Sequence, residues 1–524
     1  MSKIVIITGG VISSLGKGII SSSIARLLKD QGINVNMMKL DPYLNVDPGT
    51  MSPIEHGEVF VTFDGGETDL DLGHYERFLS QELSKKSSVS SGQIYQNILN
   101  NERQGKYLGK TVQVIPHVTN EIKRLILDNA VGYDVLFVEL GGTVGDIESL
   151  PFLEAIRQLQ NEADTFVIHG AYVPYLRSSK ELKTKPVQHS VRELQGLGIR
   201  PNMIVTRNEI PLNKAAKDKI ANLCNVDHDS VVESVDCDSV YKIPLLLKEQ
   251  NVDQIIAKYF DLELNGCNHE QLRDVIDKME NSDGEVNIAI VGKYTQLEDA
   301  YLSVIEAIKH AGIVNLVKVN IDLIDSNEID DNYDLDKYDG IIVAGGFGNS
   351  GIDGKIKAIT YARTNNVPFL GICLGMQLAC LEFAMNVCNL DVAHGEFNPE
   401  ASNKLIDIME DQNLEQLGGT LRLGNYECKL LDGSLAKSVY NQDIIKERHR
   451  HRYEFNNQYR DILSKNGLVF SGINPERDLV EVVEYPNNDF FIASQYHPEL
   501  SSKLTDPNPL FVGLIKASKE YRNK

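Results

Sequence analysis

Tryptophan is absent, and cations are scarce against acids: 52 Lys+Arg face 74 Asp+Glu, for a net charge of −22. So acidic a chain excludes charge-driven binding to nucleic acid or to an anionic membrane. Any anionic ligand must therefore be held by local groups of cations and backbone N–H donors. Cysteine is sparse too. The seven are odd in number and none stands in C-x-x-C spacing, which gives neither a zinc site nor a disulfide framework and suits a reducing cytosol. No apolar run approaches 18 residues, and the opening MSKIVIITGG has too short an apolar stretch for a signal peptide, so a cytoplasmic protein without a membrane segment is expected. Sequence repeats and low-complexity tracts are also missing.

What is present is length and rhythm. The 524 residues exceed what one hydrophobic core organises, so two or more domains are expected. KIVIIT reads as a buried strand, residues 20–31 as a helix stopped by Gly32, and NVNMMKLD as the next strand. YDVLFVEL (133–140), TFVIHG (165–170) and MIVTR (203–207) continue the alternation. Apolar strands separated by helices predict a mostly parallel sheet. Residues 265–285 are polar, with one exposed helix and no strand. The rhythm restarts at VNIAIVG (286–292), with a helix around 298–310 ending near Gly312, then VNLVKVNIDLI and YDGIIVAGGFG. The expectation is an α/β domain over 1–264, a linker over 265–285 and a second α/β domain over 286–524.

Between the first strand and helix stands ITGGVISSLGKGIISSSIARLL, where Gly9, Gly10, Gly16 and Gly18 surround Lys17. Glycines let backbone N–H groups converge on an anion, and the helix N-terminus and Lys17 add positive potential. The match to G-x-x-x-x-G-K-[ST] is imperfect: the first glycine is one residue too far, and Gly18 replaces the hydroxyl residue that would ligate magnesium. Hard oxygen ligands are then needed elsewhere. Glu139, directly after VLFV, and Asp71, in GGETDLDLGHYERF, are the candidates. A second cluster, SSKELKTKPVQHSVREL (178–194), gathers Lys180, Lys183, Lys185, His189 and Arg192 around Pro186, either as a solvated face or as a second polyphosphate site.

The back half carries VPFLGICLGMQLACLEF (367–383), a strand, a Cys flanked by Gly371 and Gly375, then a helix. This is the G-x-nucleophile-x-G spacing, in which small neighbours permit a sharp strand-to-helix turn. Cys373 at a helix N-terminus favours thiolate, and the N–H of Leu374 is placed for an oxyanion. A base and its orienting partner are read in FFIASQYHPEL, where His497 and Glu499, two apart in extended chain, point the same way. In ERHRHRYEF (447–455) the alternation puts Arg448, Arg450 and Arg452 on one face, suited to binding anions rather than metal.

With these pieces assembled, the chain resembles the CTP synthase family over its full length. The shared motifs are GGVISSLGKGI, KLDPYLNVDPGTMSPIEHGEVFV, TDLDLGHYERF, VQVIPHVTNEI, GGTVGDIES, KTKPVQHSVRELQGLGIRPNMIV and YKIPLLL, then GGFG, GICLGMQ, RHRHRYEFNN and HPE. The resemblance implies a P-loop-like (dethiobiotin-synthetase-like) amidoligase domain with a parallel sheet, joined to a class I glutamine amidotransferase α/β domain. It implies ATP-dependent amination of UTP to CTP through a 4-phosphorylated UTP, with ammonia from glutamine hydrolysed on Cys373, or free ammonia. CTP as feedback inhibitor, GTP as activator and a homotetramer are implied as well. Carried over, the ATP loop falls on Ser14, Leu15, Gly16, Lys17, Gly18 and Ile19, with Val235, Asp236 and Cys237 near the adenine, and magnesium on Asp71 and Glu139. UTP or CTP contacts fall on Ser13, Lys183, Thr184, Lys185, Pro186, Val187, Gln188 and Lys219, with Asp146, Ile147 and Glu148 for CTP. Gly346, Leu374, Gly375, Met376, Gln377, Glu396 and Arg452 would grip glutamine, and Leu108 matches the region of ammonia passage. A related amidoligase acting on a carboxylate would share the back half; KTKPVQHS discriminates against it.

Three positions depart from the family pattern. Ser350, in FGNSG, replaces the arginine linked to GTP activation, so weaker or altered GTP stimulation is expected. Val235 stands where a lysine is common, and Tyr496 replaces a frequent Phe before His497.

Overall fold

Strands buried on both sides, alternating with amphipathic helices, form two α/β units in the computed structural model, which describes residues 2–13, 15–408 and 421–524. Unit 1 comprises Met1–Asp47 and His74–Ile276; unit 2 comprises Pro48–Gly73 and Asp277–Lys524. No helix among the described residues is long and apolar enough to cross a membrane.

Unit 1 is built on a seven-stranded sheet, ordered Val231–Val235, Met203–Asn208, Asp164–Tyr172, Lys3–Gly10, Val135–Leu140, Val35–Asp41, Ser88–Ser90. Every pairing is parallel. The apolar runs explain this, since a central parallel strand such as Lys3–Gly10 must be buried on both faces. Helix Lys17–Asp30 buries Ile20, Ile24, Leu27 and Leu28, the stripe its periodicity predicts. Pro151 and Pro186 occupy the first turns of helices Leu150–Leu159 and Lys185–Gly196, where a missing N–H is harmless. Ser90 and Asn213 cap helices Ser91–Arg103 and Lys214–Cys224 by accepting from Gln93 N and Ala216 N.

Unit 2 holds a nine-stranded sheet. Its first five strands, Lys318–Asp325, Glu285–Gly292, Gly340–Val343, Phe369–Ile372 and Phe491–Ser494, are parallel; Val480–Glu484, Val469–Ile473, Arg422–Leu430 and Ile444–His451 follow antiparallel. Helix Leu302–Asn315 runs past Gly312, where a stop was expected. Gly312 serves close approach instead: a Cβ there would lie 2.9 Å from Val319 Cγ1 and 3.0 Å from the Val317 carbonyl. The division between units falls within helix Glu270–Glu280 of the polar segment.

Residues 48–73, which local pattern assigns to the front domain, cluster with unit 2. The arginines of RHRHR explain why, and for Arg448 and Arg450 correct the assignment to binding an anionic ligand. Arg448 is fully buried; its Nη1 donates to the Val61 carbonyl (3.1 Å) and its guanidinium lies 5.3 Å from the Phe60 ring centre. Arg450 donates through Nε to Glu67 (2.9 Å) and through Nη2 to the Gly49 carbonyl (3.1 Å). The alternation is real, but two of the three cations anchor chain from nearly 400 residues upstream.

Candidate active sites

In unit 2 the strand Phe369–Ile372 runs into Cys373, whose φ of 53° and ψ of −103° are sparsely populated for a non-glycine residue, and then into helix Leu374–Asn386. The flanking glycines make that turn possible. A Cβ on Gly371 would come within 2.8 Å of Ala493 Cβ, and one on Gly375 would overlap the Val343 carbonyl. Cys373 N donates to Ser494 O at 2.7 Å, fixing the elbow to the neighbouring strand. The thiol itself is buried.

His497 and Glu499 come to the same place. Their contact, Nδ1 to Oε1 at 2.6 Å, is made across the short turn Pro498–Leu500 rather than along an extended strand as expected. Gly345 marks the convergence: a Cβ there would lie 3.0 Å from His497 Cε1 and 3.5 Å from Cys373 Cβ. His497 is held by its own N–H, which donates to the Arg448 carbonyl at 2.8 Å. Burial pulls the imidazole pKa down, but the charges of Glu499 and of a Cys373 thiolate outweigh it and leave it raised to about 10. The imidazolium is therefore the favoured form of His497.

A cavity of about 400 Å³ opens onto this trio, lined also by Met51, Pro53, Val59 and Tyr294. Glu396 and Arg452 do not line it. Glu396 accepts from Gly348 N at 2.8 Å, and burial raises its pKa against the opposing charges of Arg452, Lys293 and Lys355. Gly346 closes the turn after strand Gly340–Val343, beside the buried Lys355, whose Nζ lies 3.7 Å from where a Gly346 Cβ would sit. Burial, then the charge of Lys293, brings the Lys355 pKa down to about 8. Helix Leu374–Asn386 is buried along nearly its whole length, so the side chains of Leu374, Met376 and Gln377 lie in the interior. Two residues were missed from sequence: Lys355, hidden in an ordinary helical stretch, and Gln495, two positions before His497.

In unit 1 the glycine loop, Glu139, the turn after it, the basic segment and Val235–Cys237 follow the carboxyl ends of parallel strands, where open α/β sheets bind ligands. Gly16 caps helix Lys17–Asp30 in the left-handed region (φ 76°) with no side-chain cap, leaving the helix N-terminus for an anion. Ser13 is exposed and Leu15 buried; Ser14 lies outside the described residues. Gly18 is buried in the first helical turn, followed by the half-buried Ile19. Lys17 folds across Gly9, where a Cβ would meet its Cδ at 2.7 Å, and its Nζ donates to the Gly142 carbonyl. Glu139 is buried at the end of Val135–Leu140, accepting from Lys39 Nζ at 3.0 Å and from the Tyr75 hydroxyl. Asp71, which clusters with unit 2, opens helix Asp71–Leu79.

The turn after Glu139 carries Asp146, whose Oδ2 accepts from Thr143 N at 2.7 Å, and the exposed Ile147 and Glu148. In the basic segment, Lys183 pairs with Glu181 and Lys185 is exposed at the helix start. Pro186 is half-buried, while Thr184, Val187 and Gln188 are buried, with Gln188 Nε2 donating to Thr184 Oγ1 at 3.1 Å. Val235 ends the edge strand and Asp236 and Cys237 follow it, Asp236 pairing with Arg207 at 3.1 Å. Lys219 is exposed on helix Lys214–Cys224, near enough to Glu181 that its charge, after the Lys183 hydrogen bond and charge, helps hold that carboxyl below its usual range; Leu108 is exposed in a turn. Ser350 Oγ donates to Asn327 Oδ1 at 3.3 Å. Tyr496 is fully buried.

Comparison with known proteins covers both units. Residues 3–262 match the family model described as CTP synthase N-terminus, and residues 296–517 match glutamine amidotransferase class-I. The CTP synthases of Staphylococcus aureus (strain NCTC 8325 / PS 47) and Staphylococcus saprophyticus subsp. saprophyticus are each 53% identical over 535 aligned residues, covering 100% of this chain and 99% of theirs. Among solved structures, the glutaminase domain of Trypanosoma brucei CTPS with bound acivicin aligns with 45% of this chain and 94% of its own at 38% identity, with a TM-score of 0.42.

Proposed function

Because the chain belongs to the CTP synthase family, it aminates UTP to CTP with glutamine as nitrogen donor and ATP as co-substrate, and we propose that Cys373, His497 and Glu499 release that nitrogen while the glycine loop serves phosphoryl transfer. An amidoligase acting on a carboxylate is not favoured, since the match extends through the N-terminal half that would have to differ.

The Cys373 thiolate attacks the glutamine amide carbonyl, the Leu374 and Gly346 N–H groups receive the oxyanion, and His497 protonates the departing nitrogen. Water, deprotonated by His497, then cleaves the thioester to glutamate. Glu396 and Arg452 hold the amino acid end of glutamine. On the other domain, UTP O4 takes the γ-phosphoryl group of ATP, giving ADP; ammonia adds at C4 and phosphate leaves. Lys17 and the helix N-terminus offset the charge on the transferring phosphoryl group, with Ser13, Lys183–Gln188 and Lys219 on the pyrimidine nucleotide. Magnesium suits the donors present: Glu139 offers hard oxygens at a strand end, Asp71 is the second carboxylate, and such an ion takes its remaining ligands from phosphates and water rather than from a protein cage. Bound there, it would offset phosphate charge. The cavity beside Cys373 is the proposed first volume entered by ammonia, and Leu108 belongs to its later passage. Feedback by CTP at Asp146–Glu148, activation by GTP weakened by Ser350, and a homotetramer complete the reading. The cytoplasm is the proposed compartment, consistent with seven free thiols.

The observation that carries the proposal is the 2.6 Å His497–Glu499 contact converging with Cys373 on Gly345. The test is Cys373→Ala. Glutamine-dependent CTP formation is expected to vanish while synthesis from ammonium chloride persists; joint loss of both activities in a folded variant contradicts the division of labour.

A further inference from the structure

Gln495 was singled out neither by motif nor by composition, yet its amide faces the nucleophile. Its Nε2 lies 3.8 Å from Cys373 Sγ, within reach of an N–H···S hydrogen bond, and the side chain is almost fully buried. The orientation of that amide follows from a run of hydrogen bonds with one consistent polarity. Glu396 N donates to His394 Nδ1 (3.1 Å), so His394 carries its proton on Nε2 and donates to Gln377 Oε1 (3.0 Å). Gln377 Nε2 then faces two acceptors, the Tyr453 carbonyl (2.9 Å) and Gln495 Oε1 (3.1 Å). With its oxygen so engaged, Gln495 turns its NH₂ to the sulfur. The Arg450 carbonyl also lies 3.8 Å from the sulfur, an acceptor that a thiol satisfies and a thiolate does not. His394 stays neutral throughout, because burial holds its pKa down to about 3.

We propose that Gln495 is a positioning residue for the glutaminase reaction, a donor aimed to stabilise the Cys373 thiolate, with its amide oriented through Gln377 and His394 from the backbone of Glu396. The inference rests on Cys373 being the nucleophile. Its content is that the thiolate is held by three agents: the helix N-terminus, the imidazolium and this amide. It also gives Gln377 a role other than direct grip on glutamine, and it ties the glutamine-holding Glu396 to the nucleophile through neutral groups alone.

The test is the pH dependence of inactivation by iodoacetamide in the full-length protein, read as loss of glutaminase activity so that the other thiols do not contribute. The variants are Q495M, which removes the donor, and the isosteric Q495E, which replaces it with an acceptor and carries the test should Q495M fail to fold. Both are expected to react about tenfold more slowly than wild type near neutrality, as loss of one long hydrogen bond to an anion implies. All three rates are expected to converge within about twofold once the thiol is fully ionised. Glutaminase kcat should fall with little change in KM. Rate profiles of both variants that superimpose on wild type overturn the role of Gln495. If Cys373→Ala still hydrolyses glutamine, the nucleophile assignment fails, and the role of Gln495 with it.

Discussion

Replacing Glu499 by Gln keeps shape and removes charge. In the protein the carboxylate sits 2.6 Å from His497 Nδ1, Glu499 being buried and His497 half-buried. A pKa of about 10 against an ordinary 6.5 corresponds to roughly 5 kcal/mol of preference for the imidazolium, to which Glu499 makes the largest favourable contribution. Without it, burial dominates, the imidazole favours its neutral form, and the thiolate loses its counter-charge. Glutaminase kcat/KM is expected to drop about 10²–10⁴-fold, the range seen when a triad loses its orienting acid. The sign also appears in stability. A raised histidine pKa contributes stability that is fully present below pH 6.5 and lost as pH rises toward 10, so wild type should lose its advantage over Glu499→Gln across that window. The assay is glutamate release against pH, paired with thermal unfolding at pH 6 and pH 10. Glutaminase within twofold of wild type, or a stability difference that grows with pH, refutes the reasoning.

Lys355→Met should raise the unfolding temperature at neutral pH. A folded pKa of about 8 against 10.5 means the buried charge costs roughly 3 kcal/mol there, a penalty relieved as pH rises from 8 to 10.5; a variant no more stable than wild type at pH 7 contradicts it. Arg422 donates to Glu481 at 2.8 Å and to Glu454 at 3.4 Å, all buried, so Arg422→Leu removes the cation beside two buried carboxylates and should cost about 3–5 kcal/mol in denaturant unfolding. Lys17→Ala should abolish CTP formation from glutamine and from ammonium alike while leaving glutamate release in place, measured by separating nucleotides and glutamate from one reaction. Ser350→Arg should increase the stimulation of glutamine-dependent synthesis by GTP over that of wild type, read in a GTP titration; an unchanged curve removes the link to that position.

Much of this architecture was legible because it is local. KIVIITGG could only be a strand buried on both faces, and Gly371 and Gly375 around Cys373 could only mark a turn too tight for a Cβ. What escaped depends on contacts between distant segments. No periodicity reveals that Arg448 and Arg450 are consumed by residues 49–67, because the alternation of RHRHR is the same whether its cations meet an anion or a neighbouring carbonyl. Glu139 was legible as a carboxylate after an apolar strand, but its partners Lys39 and Tyr75 come from other segments and were not. Gln495 gave no signal, since a glutamine beside a strand end is ordinary until four hydrogen bonds fix which end of its amide faces sulfur.

The account stands most directly on the path of one nitrogen. With UTP, ATP, magnesium and glutamine labelled with ¹⁵N in its amide, mass spectrometry of the product should find the label in the 4-amino group of CTP, and Cys373→Ala should yield none. Unaltered UTP from the folded wild-type protein, with glutamine and equally with concentrated ammonium salt, would contradict it.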